Sequence, residues 1–258
     1  MQEINSKFKS IRVNLRKQGS DICEDVFRRF HPSTIIAKKE ICVFCNSTSQ
    51  LTKEHVLPRW VFQKSTSSEF ISSVNQQSQT YNKSVIPTCS ECNNSILGYI
   101  EKHMIQVTAR LESCDSYDEN DLQDSIRWLE LIDYKAQVFD CRRKYFKYGK
   151  SEYDADWGIF SVALMRHFID MNPFKAHTYI RNAQRRIAVK DKRKRLNSLV
   201  IFDTSHPHLN FFTQPNEYIF VSFPTCRIAL FYFLRKDFNL LKDAEKEALY
   251  IISMVAKT

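Results

Sequence analysis

Apolar residues recur at intervals of three and four along most of the chain, a spacing that predicts helices. The predicted helices are a partly helical, basic N-terminal segment up to about residue 37, then Ile96–Leu111, Leu122–Tyr145, Trp157–Met171, Ala176–Leu196 and Asp237–Met254. Near the C-terminus the pattern changes to short apolar runs, which predict strands at Ser198–Thr204, Tyr218–Phe223 and Ile228–Leu234. The predicted fold class is α+β, with a mixed helix and antiparallel-sheet domain at the C-terminus.

Polar stretches between these elements indicate how the chain is organised. Ser65–Ser84, rich in serine, glutamine and asparagine, predicts a loop or an irregular hairpin arm. Cys114–Asp124 is acidic and polar and predicts a domain boundary, with Asp121 as the cap of the helix that follows. Three units are predicted: an N-terminal helical segment, a cysteine-bearing module and a C-terminal α+β domain, at residues 1–37, 38–113 and 114–258.

Positive charge dominates the composition. The 38 lysine and arginine residues outnumber the 29 acidic residues, which gives a formal net charge of +9 and a pI of about 9.1. This excess favours a polyanionic partner such as nucleic acid, although it can also serve solubility alone. The hydrophobic content of 43% excludes disorder throughout. Met1–Lys17 lacks the apolar core of a secretory signal, and no apolar run is long enough to span a bilayer, so we expect a cytoplasmic protein without a membrane partner.

Four cysteines form two matched pairs, each with two residues between its members: Cys42, Cys45, Cys89 and Cys92. Two such pairs predict a closed four-sulfur shell around one structural Zn²⁺. The gap between the pairs exceeds that of an ordinary zinc ribbon, which indicates an insertion. The alternative is two unrelated pairs or a redox-active pair. The remaining cysteines are scattered and are predicted to be buried free thiols: Cys23, Cys114, Cys141 and Cys226.

The insertion and its flanks carry residues with catalytic chemistry. His55 follows Glu54 directly, and an imidazole can accept a proton from water near neutral pH. Glu54 and Asn93 offer hard oxygen ligands suited to Mg²⁺, so these residues are the parts of a metal-dependent phosphodiesterase site. Plainer interpretations are a surface or zinc-adjacent histidine, a solvated glutamate and, for Asn93, a cap of the following helix, whose N-cap is predicted at Asn94 or Ser95.

Thr52–Trp60 has the sequence Thr-Lys-Glu-His-Val-Leu-Pro-Arg-Trp, and Pro87–Asn94 has the sequence Pro-Thr-Cys-Ser-Glu-Cys-Asn-Asn. On these motifs the chain resembles the HNH endonucleases, also called ββα-metal or His-Me finger nucleases. The narrower resemblance is to a zinc-containing bacterial subgroup with Lys-Glu-His-x-x-Pro-x-Trp and Cys-Asn-Asn. It covers about residues 41–111. It implies a strand–strand–helix unit in which His55, at the end of the first strand, is the general base and Asn93 begins the helix.

The resemblance also implies that Glu54 and Asn93 are ligands of Mg²⁺ or another divalent cation. Glu101 matches a glutamate that often follows on the helix of the subgroup. Two features depart from the family pattern. Asp or His stands more often at the position of Glu54. The middle asparagine of the family name, which orients the histidine ring, has no secure counterpart, and Asn75 and Asn82 are the alternatives.

Basic residues concentrate in one segment of the C-terminal domain, in which only Asp191 is acidic. A helix of this composition is expected to follow a phosphate backbone without recognising bases. A solvated helix face, or a contact with an acidic partner protein, is the alternative. The residues predicted to bind nucleic acid are Arg181, Arg185, Arg186, Lys190, Lys192, Arg193, Lys194 and Arg195.

Together these features predict a metal-dependent HNH endonuclease that nicks or cleaves DNA. The proteins that the chain resembles include the nuclease halves of bacterial anti-phage systems, of the Septu and retron-associated kinds, which are paired with an ATPase. The resemblance therefore implies a defence role and a partner ATPase. The alternative is a non-catalytic zinc module that binds nucleic acid or docks a partner protein.

Overall fold

Helices and antiparallel strands share the part of the chain that the computed structural model describes, namely residues 2–28, 40–62, 69–71, 78–113, 117–147, 173–205, 210–223 and 225–255. The α-helices are α1 (Gln2–Arg28), α2 (Arg59–Phe62), α3 (Gly98–Ser113), α4 (Glu119–Lys147), α5 (Pro173–Ala188) and α6 (Leu241–Val255). The strands are β1 (Leu51–His55), β2 (Glu69–Ile71), β3 (Ser78–Thr80), β4 (Val85–Cys89), β5 (Leu199–Asp203), β6 (Phe211–Gln214), β7 (Tyr218–Phe223) and β8 (Ile228–Phe233). The predicted α+β class is confirmed. The predicted helix Trp157–Met171 lies outside the described residues.

A two-stranded hairpin and the helix after it form the cysteine-bearing part of the fold. Strand β1 pairs antiparallel with β4 in a register that places Leu51 opposite Cys89 and His55 opposite Val85. The chain between them forms α2, the β2–β3 hairpin and a short 3₁₀ turn, Tyr81–Lys83. The irregular hairpin arm predicted there is thus present in the described residues.

Helix α3 begins earlier than its apolar pattern suggests. A π-helical turn, Glu91–Leu97, runs directly into it, and the N-cap position is Ser90. The predicted N-cap at Asn94 or Ser95 is therefore wrong, because both residues already lie inside the helical turn. The cause is the second cysteine pair: Cys92 must turn back toward Cys89, so the backbone coils immediately after β4 ends.

Helix α4 is the central element of the fold. It packs against α3, α5 and the β1–β4 hairpin, and most of its side chains between Asp121 and Asp140 are buried. Its cap is Asp118, whose carboxylate accepts the Asp121 backbone N–H at 2.9 Å. The predicted cap at Asp121 is wrong because Asp121 already lies inside the first helical turn, where its carboxylate accepts a hydrogen bond from Arg110 at 2.9 Å.

Helix α1 buries one apolar stripe against α5 and α3. The residues of the stripe recur at helical spacing: Ile4, Phe8, Ile11, Leu15 and Ile22. Gly19 marks the closest approach to α5, since a Cβ atom there would lie 2.9 Å from the Arg181 side chain. Contacts of α1 with α3 and α5 therefore join the three units that the sequence separates.

A four-stranded antiparallel sheet with the order β5-β8-β7-β6 completes the fold. One face packs on the main core, and the other packs on α6 through Val200, Phe231, Ala244 and Ala248. Because both faces are covered, β8 is buried at every position. The three predicted strands are confirmed, and the edge strand β6 was not predicted. In the described residues, no helix combines the length and the apolar character that crossing a membrane requires.

Candidate functional site

The two cysteine pairs meet at the base of the β1–β4 hairpin. In the first pair, the Asn46 N–H donates to the Cys42 carbonyl at 2.9 Å, and Asn46 takes a left-handed conformation with φ of 61°. In the second pair, Cys89 is the last residue of β4, and the backbone N–H of Cys92 donates to the Cys89 sulfur at 3.5 Å. The Val43 N–H donates to the Pro87 carbonyl at 3.2 Å, which joins the two turns.

The four sulfur atoms form a compact donor set. They lie within 4.8 Å of one another, and the Cys45 and Cys89 sulfurs are 3.6 Å apart. Four sulfurs at about 2.3 Å from a tetrahedral zinc ion would be about 3.8 Å apart. A hydrogen bond from the Cys92 thiol lowers the pKa of Cys42, which favours the thiolate form that a metal binds. The site fits a metal such as zinc.

Of the scattered cysteines, Cys23 and Cys226 take no part in this cluster. Cys23 and Cys226 are free thiols; burial raises the pKa of Cys23 to about 12, whereas Cys226 is partly exposed. The predicted burial is confirmed for Cys23 and is wrong for Cys226. Cys114 and the side chain of Cys141 lie outside the described residues.

His55 stands at the end of β1 with its ring partly exposed beside Phe62, at 5.5 Å between ring centroids. The Asn82 side chain hydrogen-bonds the ring. Burial first, and then the positive charge of Arg59, lower the pKa of His55 below its ordinary value of 6.5, against smaller raising effects of Glu54 and Asn82. The imidazole is therefore neutral at pH 7 and able to accept a proton. Of the two candidate asparagines, Asn82 contacts the ring, and Asn75 lies outside the described residues.

Glu54 lies in a buried cluster rather than at an open metal site. It is 6% exposed, and its Oε1 accepts a hydrogen bond from the Lys135 Nζ at 2.7 Å. The same ammonium donates to the His55 backbone carbonyl at 2.9 Å. Glu101 hydrogen-bonds Glu54, and burial, assisted by that contact, raises the pKa of Glu101 to about 7. Glu101 thus lies beside Glu54 in this cluster, where the charge of Lys135 also acts on it.

Asn93 contacts a different part of the hairpin. Its side-chain amide donates to the Thr52 hydroxyl at 2.8 Å, and its backbone carbonyl accepts the Gly98 N–H within the helical turn. Thr52 is two residues before Glu54 on the same face of β1, a separation of about 6.7 Å along a strand. The Mg²⁺ site predicted at Glu54 and Asn93 is not supported, because the two contact different partners and a buried ammonium already binds the Glu54 carboxylate.

The predicted basic helix is two elements. Helix α5 ends at Ala188, and after a short loop a 3₁₀ turn, Arg193–Ser198, leads into β5. Prediction of one continuous helix is wrong because cations cap the end of α5. Lys192 Nζ donates to the Arg186 carbonyl at 2.8 Å, and Arg16 donates to the Ala188 carbonyl at 2.5 Å.

Several of the eight basic residues of this segment have internal partners. Lys192 is 2% exposed and pairs with Glu130 at 2.6 Å. Arg186 pairs with Asp133 at 2.5 Å. The other internal contacts are those of Arg181 with Gln184, of Arg193 with Asp191, and of Arg195 with Asp237 and the Phe233 carbonyl. Exposed side chains without an ion pair among the described residues are those of Arg185, Lys190 and Lys194. Of the eight residues predicted to bind nucleic acid, these three side chains are therefore the ones left to contact phosphate.

Lys135 is the residue of this cluster that sequence reasoning missed. It lies in α4, 81 positions after Glu54 and beyond the predicted boundary of the module. One signal was present in the sequence: a lysine in the run Leu131–Val138, where hydrophobic residues predict a buried helix face. A buried lysine requires an acidic partner, but the sequence does not identify which one.

The chain was compared with protein-family models, with curated proteins and with solved structures, and none of the three comparisons gave a match.

Proposed function

We propose that the β1–β4 hairpin and α3 form an HNH-type nuclease module that hydrolyses phosphodiester bonds in DNA, with His55 as general base and Asn82 as the residue that orients its ring. The observation that carries the proposal is the placement of His55. It ends the first strand of a strand–strand–helix unit, contacts Asn82 and has a lowered pKa. A neutral, partly exposed imidazole can take a proton from the attacking water.

The cysteine cluster supports the proposal by positioning the hairpin. Cys89 is the last residue of β4 and Cys92 lies in the helical turn that follows, so a zinc ion on the four sulfurs would fix the helix to the strand that pairs with β1. Mg²⁺ on Glu54 and Asn93 is implied by the family resemblance alone. We assign no step of the reaction to it, since Lys135 binds Glu54 and Thr52 binds Asn93.

His55→Ala is expected to lower plasmid nicking by roughly 10²–10⁴-fold, because proton transfer to a positioned side chain contributes about this much. Asn82→Ala is expected to give a smaller loss, because the ring remains but is less well oriented. The measurement is conversion of supercoiled plasmid to open circles, together with metal content by elemental analysis. The pH profile of the wild-type rate should rise from acid pH with a midpoint below 6.5, because the pKa of His55 is lowered.

The matched control is His103→Ala, since the His103 ring pairs with Asp124 at 2.9 Å on a different surface of α3. This variant should nick plasmid at nearly the wild-type rate. Wild-type nicking by His55→Ala, with metal content unchanged, would remove His55 from the mechanism and leave the proposal without its base.

Three exposed cations, one in the last turn of α5 and two in the segment after it, are proposed to bind the DNA backbone. Replacing Arg185, Lys190 and Lys194 together with glutamine should weaken binding to all sequences alike. It should also flatten the slope of log affinity against log salt by up to about three units, roughly one per lost phosphate contact. Fluorescence anisotropy with a labelled duplex at several salt concentrations measures both effects.

A second triple variant tests whether net charge alone is responsible. Lys9, Lys17 and Lys246 are exposed on other helices, and their replacement by glutamine removes the same charge. Equal effects of the two variants would contradict a specific surface formed by Arg185, Lys190 and Lys194. An unchanged salt slope, with loss of a co-purifying protein, would instead favour an acidic protein partner.

The second candidate function is a non-catalytic zinc module that binds nucleic acid or docks a partner. The ion pair of Glu54 with Lys135 favours it, because that carboxylate is neutralised inside the protein. Nucleic acid binding without any nicking, in wild type and in His55→Ala alike, would establish this alternative. A role in anti-phage defence with a partner ATPase is proposed from the family resemblance, and its test is co-purification with the products of neighbouring genes.

A further inference from the structure

The ammonium of Lys135 donates hydrogen bonds to two oxygen atoms of β1. Its Nζ is 2.7 Å from the Glu54 Oε1 and 2.9 Å from the His55 carbonyl oxygen. Lys135 is 3% exposed, so these contacts are screened little by solvent. A carboxylate and a backbone carbonyl are also typical ligands of a hard divalent cation. The ammonium and such a cation therefore require the same oxygen atoms.

We propose that Lys135 is the resident cation of this site: a positioning residue that takes the place of a divalent ion and holds the His55 end of β1. This inference rests on the proposed function for its catalytic meaning. Glu101 of α3 is a further neighbour of Glu54, and its raised pKa reflects burial and that neighbouring carboxylate. A cation at this point offsets the desolvation cost of the buried Glu54 carboxylate.

The position of Lys135 on α4 allows its ammonium to stand where a divalent ion would otherwise bind. Helix α4 carries it, and the neighbouring Tyr134 hydroxyl donates to the Val43 carbonyl at 2.6 Å, which fixes α4 against the first cysteine turn. The position of α4 therefore determines where along β1 the Lys135 ammonium lies. The hydrogen bond from Lys135 to the His55 carbonyl fixes the backbone of His55, whose ring is partly exposed.

One consequence is that the wild-type protein should have no Mn²⁺ site at Glu54, and that nicking should proceed without added divalent ions. Mn²⁺ binding is measured by electron paramagnetic resonance on the zinc-loaded full chain, which gives a readout that does not depend on activity. Nicking is measured in parallel without added divalent ions, after elemental analysis has shown that the zinc content is unchanged.

Removal of the ammonium should create the site that the wild type lacks. Lys135→Ala is expected to bind Mn²⁺ at least about tenfold more tightly than wild type, because the Glu54 carboxylate then lacks its counter-charge. Lys135→Arg keeps the charge and should show no gain. The double variant Lys135→Ala with Glu54→Gln should lose the gained site. Lys53→Ala, an exposed lysine on the same strand, is the control for a general change of charge.

Wild-type Mn²⁺ binding that Glu54→Gln abolishes would overturn the inference, and this measurement needs no Lys135 variant to fold. Nicking that depends strictly on added Mg²⁺ and is lost in Glu54→Gln would overturn it as well, while leaving the proposed nuclease standing. The converse result is equally distinct: a gained Mn²⁺ site in Lys135→Ala, with no nicking by any variant, supports the resident cation and removes the nuclease.

Discussion

Cys89→Ser and Cys92→Ser are each expected to release the bound metal and to unfold the β1–β4 hairpin with the start of α3. Structural zinc sites contribute about 10–16 kcal/mol of folding free energy in small modules, and typical domains are stable by only about 5–15 kcal/mol. Cys89 belongs to β4 and Cys92 to the helical turn, so losing either sulfur separates the strand from the helix. About one equivalent of Zn²⁺ per wild-type chain, by elemental analysis, and a cooperative melt are the reference measurements.

Cys226→Ser is the matched control, because Cys226 is a partly exposed free thiol outside the cluster. It should retain the metal and melt within a few degrees of wild type. A metal-free wild-type chain that melts cooperatively at the same temperature as the zinc-loaded one would contradict the structural role of the four sulfurs.

Lys192→Ala is expected to lower the free energy of unfolding by roughly 3–5 kcal/mol, the usual cost of breaking a buried ion pair. Burial is the main cause of the lowered pKa of Lys192, opposed by Glu130. The Glu130 carboxylate also accepts a hydrogen bond from the Tyr232 hydroxyl at 3.2 Å, so truncation of Lys192 would leave it with one partner in an apolar core. Urea denaturation at neutral pH measures the loss.

Lys194→Ala, in the same 3₁₀ turn but exposed, should change stability by no more than about 0.5 kcal/mol. Lys192→Met combined with Glu130→Leu should recover much of the loss, since an apolar pair can replace a buried ion pair. Wild-type stability of Lys192→Ala would mean that Lys192 is a surface cation, as the basic-helix prediction requires.

Local patterns accounted for the elements that depend on neighbouring residues. Cysteine spacing predicted the sulfur cluster, and apolar periodicity predicted most of α3 and α4 and three of the four C-terminal strands. Strand β6 was not predicted because its four residues, Phe211–Gln214, are too few to show the alternation of apolar and polar residues typical of a strand. Helix α6 begins at Leu241 rather than at Asp237; within it Ala244 and Ala248 are buried, whereas Leu249 is exposed.

Features set by distant contacts could not be predicted. The end of α5 is determined by Arg16, which lies in α1 and is 172 residues from the carbonyl that it caps. The choice of Asn82 over Asn75 depends on the path of the chain between β1 and β4. The buried ion pair of Glu54 depends on Lys135, which lies in a different element. Sequence spacing predicts which residues belong to the same helix or strand. The end of α5, the choice of Asn82 and the partner of Glu54 depend instead on which helices and strands contact one another.

Helix α4 has a consequence for how this site can be inherited or transplanted. Every motif that suggests a nuclease lies before residue 114, yet Tyr134 and Lys135 hold the hairpin from the other side of that point. A gene fragment ending at residue 113 would encode the complete motif without the helix that neutralises Glu54. Recombination that moved only this fragment would therefore transfer the sequence motif without Lys135, the counter-charge of Glu54. Members of such a lineage should keep α4 together with the hairpin.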